Sequence, residues 1–203
     1  MAEPSELALL DWKRRILALY ADVRRAQDPA VAWRGWRDAR DELFRSHPQS
    51  PLPPDGRATF RGLPYFDYDP ACRVPGAVVE QEPQQLLIAA SGDETVAFNR
   101  FGRVEFRLGG DVHALDVYWL EGYGGGVFLP FADATSGAET YGAGRYLLDT
   151  VKGSDLGSAD GRLVLDFNFS YNPSCAYDWR WVCPLAPPAN RLSIPIRAGE
   201  RAG

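Results

Sequence analysis

Hydrophobic residues recur every three or four positions through the first part of the chain, which is the period of an amphipathic helix. The first stripe consists of Leu9, Trp12, Ile16, Leu19, Tyr20 and Val23. Ser5 is a candidate cap at the start of this helix, which is predicted to run to about Arg25. Asp28 and Pro29 supply a cap and a first-turn proline for a second helix, which is predicted to end before Pro48.

A proline-rich segment follows the second predicted helix. Its prolines are Pro48, Pro51, Pro53 and Pro54. Each proline lacks an amide donor and restricts the residue before it, so the segment is predicted to be an extended connector. We therefore expect a helical pair over residues 1–47, this connector over residues 48–58 and a separate domain over residues 59–203.

Beyond Thr59 the hydrophobic period changes to two, which is typical of strands with one solvated face. The clearest example is Val104, Phe106 and Leu108, which alternate with charged residues. Further short strands are predicted near residues 86–90, 95–99, 112–120, 127–131, 145–149, 162–170 and 191–197. Because closely spaced strands leave no room for parallel crossovers, we expect a mainly β fold. It is predicted to be an antiparallel β-barrel or a sandwich-like domain with two N-terminal α-helices.

Composition and charge narrow the possible classes of function. The chain has 203 residues and 45% hydrophobic content, which suits one domain with a helical appendage. Its net charge of -5 argues against a nucleic-acid partner, because affinity for phosphates needs clustered lysine and arginine. The first residues lack the features of a secretion signal, and no run has membrane-spanning length. We therefore expect a cytoplasmic protein with no nucleic-acid or membrane partner, and its oligomeric state stays open.

The densest run of polar, aromatic and glycine residues lies between Phe131 and Asn190 and is typical of a site. In the predicted strand RLVLDFNFSY, Asp166 and Asn168 share one face. That face either meets water or lines the lumen of a barrel. No phosphate loop, nucleophile elbow or dinucleotide motif accompanies these residues, so no cofactor is expected.

Arg145 is the most informative charged residue of this region. It opens the predicted strand RYLLD in phase with Leu147, so its guanidinium is predicted to point inward. An inward guanidinium needs either a carboxylate, for which Asp133 and Asp166 are candidates, or an anionic ligand. The alternative is structural, because buried arginine–carboxylate pairs and polar turn residues often serve only the fold.

Cys175 and Cys183 lie eight positions apart, and Cys72 is the third cysteine of the chain. An odd number of cysteines in a chain of this length does not indicate a disulfide framework. A zinc site would need two more ligands, and the two histidines, His47 and His113, lie in distant segments, so no metal is expected. The pair is either a redox couple or two buried thiols that fill apolar space.

Six motifs together resemble those of a bacterial and archaeal family catalogued as domain of unknown function 1684. They are HPQSPL at 47–52, FRGLPYFDYDP at 60–70, PFADATSGAETYGAGRY at 130–146, LDFNFSYNPSCAY at 165–177, CPLAPPANRL at 183–192 and AGE at 198–200. One departure is YFD, ending at Asp67, where the family has YFP. The resemblance strengthens the case for a site in these motifs. It implies no reaction, because the family is named for lacking an assigned function.

From these motifs we predict a polar-lined cavity in the β domain that binds a small molecule with an anionic or carbonyl group. The predicted ligand-binding residues are Arg145, Thr135, Thr140, Asn168, Asn172, Cys175, Cys183 and Asn190. An alternative is a cofactor-independent acid/base enzyme, such as a hydrolase, isomerase or cyclase. Its predicted catalytic residues are Asp133, Asp166, Tyr141 and Tyr171. A third interpretation is that the motifs only brace the fold and that function depends on a partner.

Overall fold

The computed structural model describes residues 5–203. Within this range it has three α-helices, two of them where hydrophobic residues show helical spacing, and seven strands in the region of two-residue spacing. The helices are α1 (Ser5–Arg25), α2 (Pro29–Ser46) and α3 (Pro54–Thr59). The strands are β1 (Arg73–Ala89), β2 (Thr95–Leu108), β3 (Asp111–Leu120), β4 (Val127–Phe131), β5 (Arg145–Asp149), β6 (Ser158–Ala159) and β7 (Arg162–Asp166). Short 3₁₀ turns lie at Pro70–Cys72, Thr150–Lys152, Phe167–Phe169, Ser174–Ala176 and Pro188–Asn190.

The first two helices form where the sequence carries helical spacing and caps, as predicted. Asp28 Oδ1 accepts hydrogen bonds from the amides of Ala30 at 2.8 Å and Val31 at 3.1 Å, and Pro29 occupies the first turn. The buried positions of α2 follow its hydrophobic stripe, and one of them is a charged residue, Arg40. The first four residues of the predicted helical pair lie outside the part of the chain that the structure describes.

The proline-rich connector contains a helix, so the prediction that residues 48–58 are extended was wrong for its last part. The helix α3 begins at Pro54, directly after Pro53, whose backbone is extended with φ -63° and ψ 157°. A proline is compatible with the first turn of a helix, because the amide that it lacks has no intrahelical partner there. The prolines that follow one helix therefore also start another.

The seven strands form an antiparallel sheet in the order β5-β4-β3-β2-β1-β7-β6. The strand β1 joins its two parts, because residues 73–76 pair with β7 and residues 77–89 pair with β2. At this change of partner, a Cβ atom on Gly76 would lie 2.5 Å from Val104 Cγ2 and 2.7 Å from Leu165 Cδ1. Any larger residue would force these two side chains to shift. The predicted antiparallel β fold is confirmed, and within residues 5–203 the sheet is open because its outer strands, β5 and β6, do not pair with each other.

Two strands predicted in the C-terminal part of the chain, over residues 162–170 and 191–197, differ from the observed structure. The strand predicted over 162–170 ends at Asp166, and residues 167–169 form a 3₁₀ turn capped by the Asp166 side chain. The segment 191–197 forms no named strand among the described residues. Instead, the amide of Leu192 donates to Ala132 at 2.8 Å, and the amide of Ala134 donates to Ile194 at 3.1 Å. This segment therefore pairs with the loop after β4.

The larger hydrophobic core lies where α1 and α2 meet the β domain. The ring centroids of Trp36 and Phe169 are 5.2 Å apart, and Trp33 Nε1 donates to the carbonyl of Asn168 at 2.9 Å. Both contacts connect α2 to the turn after β7, so polar residues between the helices and the β domain become enclosed. No helix within the described range is long and apolar enough to cross a membrane.

Candidate functional site

Arg145 forms a buried ion pair with Asp133, one of its two predicted partners. Arg145 Nη2 lies 2.8 Å from Asp133 Oδ2, and the side chains are 1% and 0% exposed. The guanidinium also donates to the carbonyls of Ile196 at 3.0 Å, Ala198 and Glu200. Burial lowers the pKa of Arg145, and the Asp133 carboxylate opposes that shift. The pair therefore holds the C-terminal segment against β5.

Thr135 and Thr140 complete this ion-pair cluster. Asp133 Oδ1 accepts from the Thr135 amide at 2.7 Å and from the Thr135 hydroxyl at 2.6 Å. The hydroxyls of Thr135 and Thr140 lie 2.8 Å apart. Sequence reasoning singled out these four residues, and the structure brings them together. Their hydrogen-bonding groups are engaged with one another and with backbone, apart from Arg145 Nε.

Asp166 and Asn168 form a second buried cluster that joins β7 to the chain before β1. Asp166 Oδ1 accepts from the amide of Asn168 at 3.1 Å and from its Nδ2 at 2.8 Å, while Oδ2 lies 3.2 Å from Arg73 Nη1. The Asn168 side chain exchanges two hydrogen bonds with the backbone of Asp69, at 2.9 and 2.8 Å. Burial raises the pKa of Asp166, and Asn168 and Arg73 oppose the rise.

Asn190 is a third buried polar residue that the sequence singled out. Its Oδ1 accepts from the amide of Asp116 at 2.9 Å. Its Nδ2 donates to the carbonyls of Asp116 at 2.9 Å and Pro130 at 2.7 Å. This amide therefore joins the 3₁₀ turn before residue 191 to β3 and β4.

A buried ion pair between Arg40 and Glu200 was missed by sequence reasoning. Arg40 Nη2 lies 2.8 Å from Glu200 Oε2, and Arg40 Nε donates to the Tyr65 hydroxyl at 2.9 Å. Glu200 also accepts from the Asn172 amide at 3.1 Å and from the Tyr177 hydroxyl. Burial raises the pKa of Glu200, and Arg40 opposes the rise. The signal available in the sequence was an arginine at a buried position of the α2 stripe, which requires a partner.

A cavity lies beside this ion pair, between α1, α2 and the β domain, and we call it the helix–sheet cavity. Its volume is about 70 Å³. Its wall includes the polar or hydrogen-bonding side chains of Tyr20, Trp36, Arg40, Ser154, Tyr171 and Asn172. Of these, only Tyr171 and Asn172 were predicted as site residues. Arg145 and Asp133 do not line the cavity.

The helix–sheet cavity contains buried polar atoms that have no hydrogen-bond partner among the described residues. They are Tyr20 Oη, Trp36 Nε1, Ser154 Oγ and Asn172 Oδ1. Tyr20 is 2% exposed, Trp36 0%, Ser154 1% and Asn172 5%. A buried polar group without a partner costs roughly 1–3 kcal/mol, so these four atoms call for a partner from outside the protein, either ordered water or a ligand.

The phenols of the cavity are hydrogen-bond donors at neutral pH. Burial raises the pKa of Tyr20, and the Ser154 and Trp36 side chains beside its hydroxyl only partly offset that rise. These neighbours lie close to Tyr20 Oη but not in hydrogen-bonding geometry. Burial likewise raises the pKa of Tyr171, again opposed by Ser154. The Arg40 guanidinium stacks over the rings of Trp36 at 4.9 Å and Tyr171 at 5.0 Å, which fixes these aromatic walls.

Cys175, Cys183 and Tyr141 form a separate group. The Tyr141 hydroxyl lies 3.7 Å from Cys175 Sγ, and both cysteines are free thiols. The neighbouring Cys183 thiol lowers the pKa of Cys175 to about 6, and burial opposes this shift. Burial raises the pKa of Tyr141 to about 12. Across residues 5–203, no three His, Cys, Asp or Glu side chains are grouped so that they could hold a metal ion.

Comparison with known proteins identifies a family and gives no activity. The family described as "Protein of unknown function (DUF1684)" matches residues 58–201. An uncharacterized protein of Haloarcula marismortui, solved by solution NMR, is 35% identical, with a TM-score of 0.60 over 84% of this chain and 92% of that chain. No protein with a curated description matches. The family match includes Ser154, Tyr171 and Asn172 and begins after α2, so the helical wall of the cavity lies outside it.

Proposed function

We propose a binding function for this chain, which belongs to the DUF1684 family of proteins of unknown function. Its ligand is a small molecule with carbonyl or carboxylate oxygens, bound in the helix–sheet cavity. The observation that carries this proposal is the set of unpartnered buried polar atoms in the cavity wall. The sequence predicted the same class of ligand at Arg145. Because Arg145 is already paired with Asp133, we place the ligand in the helix–sheet cavity instead.

The unpartnered atoms define the ligand by their chemistry. Trp36 Nε1 can only donate, and the hydroxyls of Tyr20 and Ser154 are donors that also accept. Asn172 Oδ1 can only accept. A molecule that accepts two or more hydrogen bonds and donates at least one, such as a hydroxy acid or a small amide, suits this set of atoms.

Charge favours a neutral or singly charged ligand. Arg40 is paired with Glu200, and Lys152, another residue in the wall, lies 3.5 Å from Asp149. Because each cation already has a carboxylate partner, a multiply charged phosphate would find little uncompensated charge. Among the described residues Arg40 Nη1 makes no hydrogen bond, which leaves one charged donor for a single carboxylate or carbonyl oxygen.

Size favours a molecule of few heavy atoms. By the same volume measure, one water needs about 10–15 Å³. A cavity of about 70 Å³ therefore has room for several waters or one small organic molecule, and a nucleotide does not fit. The aromatic side chains of Trp12, Phe44 and Tyr171 in the wall suit an apolar portion of the ligand.

The predicted ligand contact of Arg145 becomes a positioning role in this proposal. Its guanidinium bonds the carbonyls of Ala198 and Glu200, and the Glu200 carboxylate in turn bonds Arg40 and the amide of Asn172. Arg145 thus acts on the cavity through the C-terminal segment. The catalytic alternative keeps Tyr171 as a proton donor at the cavity, while the oxygens of Asp133 and Asp166 are occupied by protein donors elsewhere.

We also propose a bacterial cytoplasmic setting, with neither nucleic acid nor membrane as a partner. A net charge of -5 disfavours a phosphate-rich partner, and the three free thiols suit a reducing compartment. For the domain itself, the open sheet and its helical cover favour the sandwich-like alternative over the barrel.

The test is a ligand titration of Tyr20→Phe, with Tyr123→Phe as its matched control because Tyr123 is fully exposed. The probes are acetate, lactate, acetamide and inorganic phosphate. Binding of each probe is measured by thermal shift and by NMR. We expect lactate or acetamide to stabilise the wild type and the control, and Tyr20→Phe to weaken that response about ten-fold, the value of one hydrogen bond. Equal responses of both variants, or a preference for phosphate, would contradict the proposal.

A further inference from the structure

A second cavity lies against β2, β3, β4 and the end of β5, and we call it the strand cleft. Its volume is about 210 Å³, against about 70 Å³ for the helix–sheet cavity. Its apolar wall consists of Val96, Phe98, Leu120, Phe128, Val151 and Pro184. Three of these side chains, Val96, Leu120 and Val151, are half-buried, so the cleft can be reached from solvent.

Aromatic contacts hold the wall of the strand cleft in place. The rings of Phe98 and Phe128 stack with their centroids 5.0 Å apart, and Tyr146 meets Phe128 edge-on at 4.8 Å. The Tyr146 hydroxyl donates to the carbonyl of Pro184, which ties that part of the wall to β5. A preformed apolar wall of this kind suits a ring or a short hydrocarbon, because little of it has to be ordered on binding.

The charged groups of the strand cleft are Asp149 and Lys152. Lys152 Nζ lies 3.5 Å from Asp149 Oδ2, and the two side chains are 56% and 9% exposed. The Asp149 side chain does not cap the 3₁₀ turn that follows it, and among residues 5–203 no other cation lies at ion-pair distance from it. A carboxylate has about four acceptor positions, so Asp149 keeps acceptor capacity toward the cleft.

The backbone around Asp149 fixes where this carboxylate lies. Asp149 pairs with Phe128 across β4 and β5, and it exchanges two backbone hydrogen bonds with Ser154, both at 3.0 Å. The turn that carries Lys152 is held as well, because Thr150 Oγ1 accepts from the amide of Val127 at 2.8 Å. An acceptor and a donor are therefore held side by side at an apolar wall.

This combination of groups defines the class of ligand. The N–H and C=O of an amide match the acceptor on Asp149 and the donor on Lys152 without displacing either. A carboxylate ligand would add a second negative charge where burial already raises the pKa of Asp149, although Lys152 opposes that rise. A cationic amine would compete with Lys152 for one carboxylate.

We propose that the strand cleft binds a small uncharged amide, whose apolar body lies against Phe98 and Phe128. The site is separate from the helix–sheet cavity, although Lys152 borders both. Tyr146 lines the cavity and packs on Phe128 of the cleft wall, so its ring forms part of the boundary between them. The two binding proposals otherwise depend on different residues, and either can fail without the other.

The experiment titrates the purified full chain with benzamide, benzoate and benzylamine, which share one ring and differ in their polar group. Binding is followed by NMR shifts of methyl and amide groups. We expect benzamide to bind at least about ten-fold more tightly than either charged probe, the value of one hydrogen bond. In the unsubstituted protein its largest methyl shifts should be those of Val96, Leu120 and Val151.

Substitutions then locate the site. Val96→Phe fills the cleft and should abolish benzamide binding, whereas Val112→Phe, at an exposed position of β3 outside the cleft, should not. Lys152→Met removes the donor and should weaken binding about ten-fold, whereas Lys13→Met, at the other lysine of the chain, should leave it unchanged. Tyr20→Phe, in the helix–sheet cavity, should bind benzamide like the wild type.

Three results would overturn this inference. One is that benzamide does not bind the wild type, or shifts groups outside the strand cleft. Another is equal binding of benzamide and benzoate. Both readouts use the unsubstituted protein, so misfolding of a variant does not affect them. The third is loss of benzamide binding in Tyr20→Phe but not in Val96→Phe, which would place the probe in the helix–sheet cavity and leave the first binding proposal standing.

Discussion

The Arg145–Asp133 cluster and the helix–sheet cavity are both buried and polar, but they differ in whether their hydrogen bonds are made within the chain. In the cluster, the Asp133 oxygens and the hydroxyls of Thr135 and Thr140 all have protein partners, and Arg145 Nε is the exception. In the cavity, four buried polar atoms have none. The contrast teaches that a dense polar motif can make almost all of its hydrogen bonds within the chain, whereas the unpartnered atoms of the cavity need water or a ligand to complete theirs.

The largest effect that separates the two regions is expected from Arg145→Met. Removing the guanidinium leaves the Asp133 carboxylate buried and unpaired and releases the carbonyls of the C-terminal segment. We expect the free energy of unfolding to fall by about 3–5 kcal/mol, measured by urea denaturation. The matched control is Arg197→Met, which removes an exposed ion pair with Glu139 and should cost no more than about 1 kcal/mol.

Arg145→Met would reverse the comparison if it left stability unchanged and abolished ligand binding. Arg145 would then be a ligand contact, as the sequence predicted, and the helix–sheet cavity would no longer be the proposed binding site. Near-identical stability losses in both arginine variants would instead mean that the buried pair contributes no more than a surface pair.

Local patterns in the sequence predicted the elements well where one segment decides its own structure. Asp28 and Pro29 fixed the start of α2, and the alternation around Phe106 identified β2. Long-range pairing decided the rest. The segment 191–197 has strand-like alternation but bonds to the loop at Ala132 and Ala134, and β7 ends at Asp166 because that side chain caps the next turn.

The site was likewise predictable only where local sequence patterns decide the structure. The phase of Arg145 with Leu147 correctly indicated an inward guanidinium, and Asp133 was a named partner. The helix–sheet cavity was not predictable, because it depends on how α1 and α2 pack on the β domain. Arg40 and Glu200 are 160 positions apart in sequence, and no local pattern joins them.

A smaller effect should appear in the pH dependence of stability through Asp166. Burial raises the pKa of this carboxyl above its ordinary value of 3.8, so the folded protein keeps a proton that the unfolded chain has lost. Its contribution to stability is therefore present at pH values below 3.8 and is lost as the pH rises through the raised pKa of the folded state. Within that window the unfolding free energy should fall by about 1.4 kcal/mol per pH unit.

The measurement compares urea denaturation of the wild type and Asp166→Asn across this pH window. Asparagine keeps an oxygen that accepts from the Asn168 amide and cannot ionise. The difference between the two curves isolates Asp166, because Asp149 and Glu200, whose pKa values are also raised by burial, are present in both. Asp22→Asn, at an exposed position of α1, is the control. Parallel curves would mean that Asp166 does not hold its proton in the folded protein.

Removing a single hydroxyl from the Arg145–Asp133 cluster and, in a second variant, from the helix–sheet cavity compares the two regions most directly. Thr135→Val deletes a hydroxyl that donates to Asp133 at 2.6 Å, and should lower the unfolding free energy by about 1–3 kcal/mol. Ser154→Ala deletes an unpartnered hydroxyl from the cavity wall and should leave the unfolding free energy unchanged or raise it, by up to about 1–3 kcal/mol. Added lactate or acetamide should still stabilise Thr135→Val and should stabilise Ser154→Ala less than the wild type. If Ser154→Ala instead lowers the unfolding free energy as much as Thr135→Val does, the Ser154 hydroxyl already has a hydrogen-bond partner. The contrast between the Arg145–Asp133 cluster and the helix–sheet cavity would then fail.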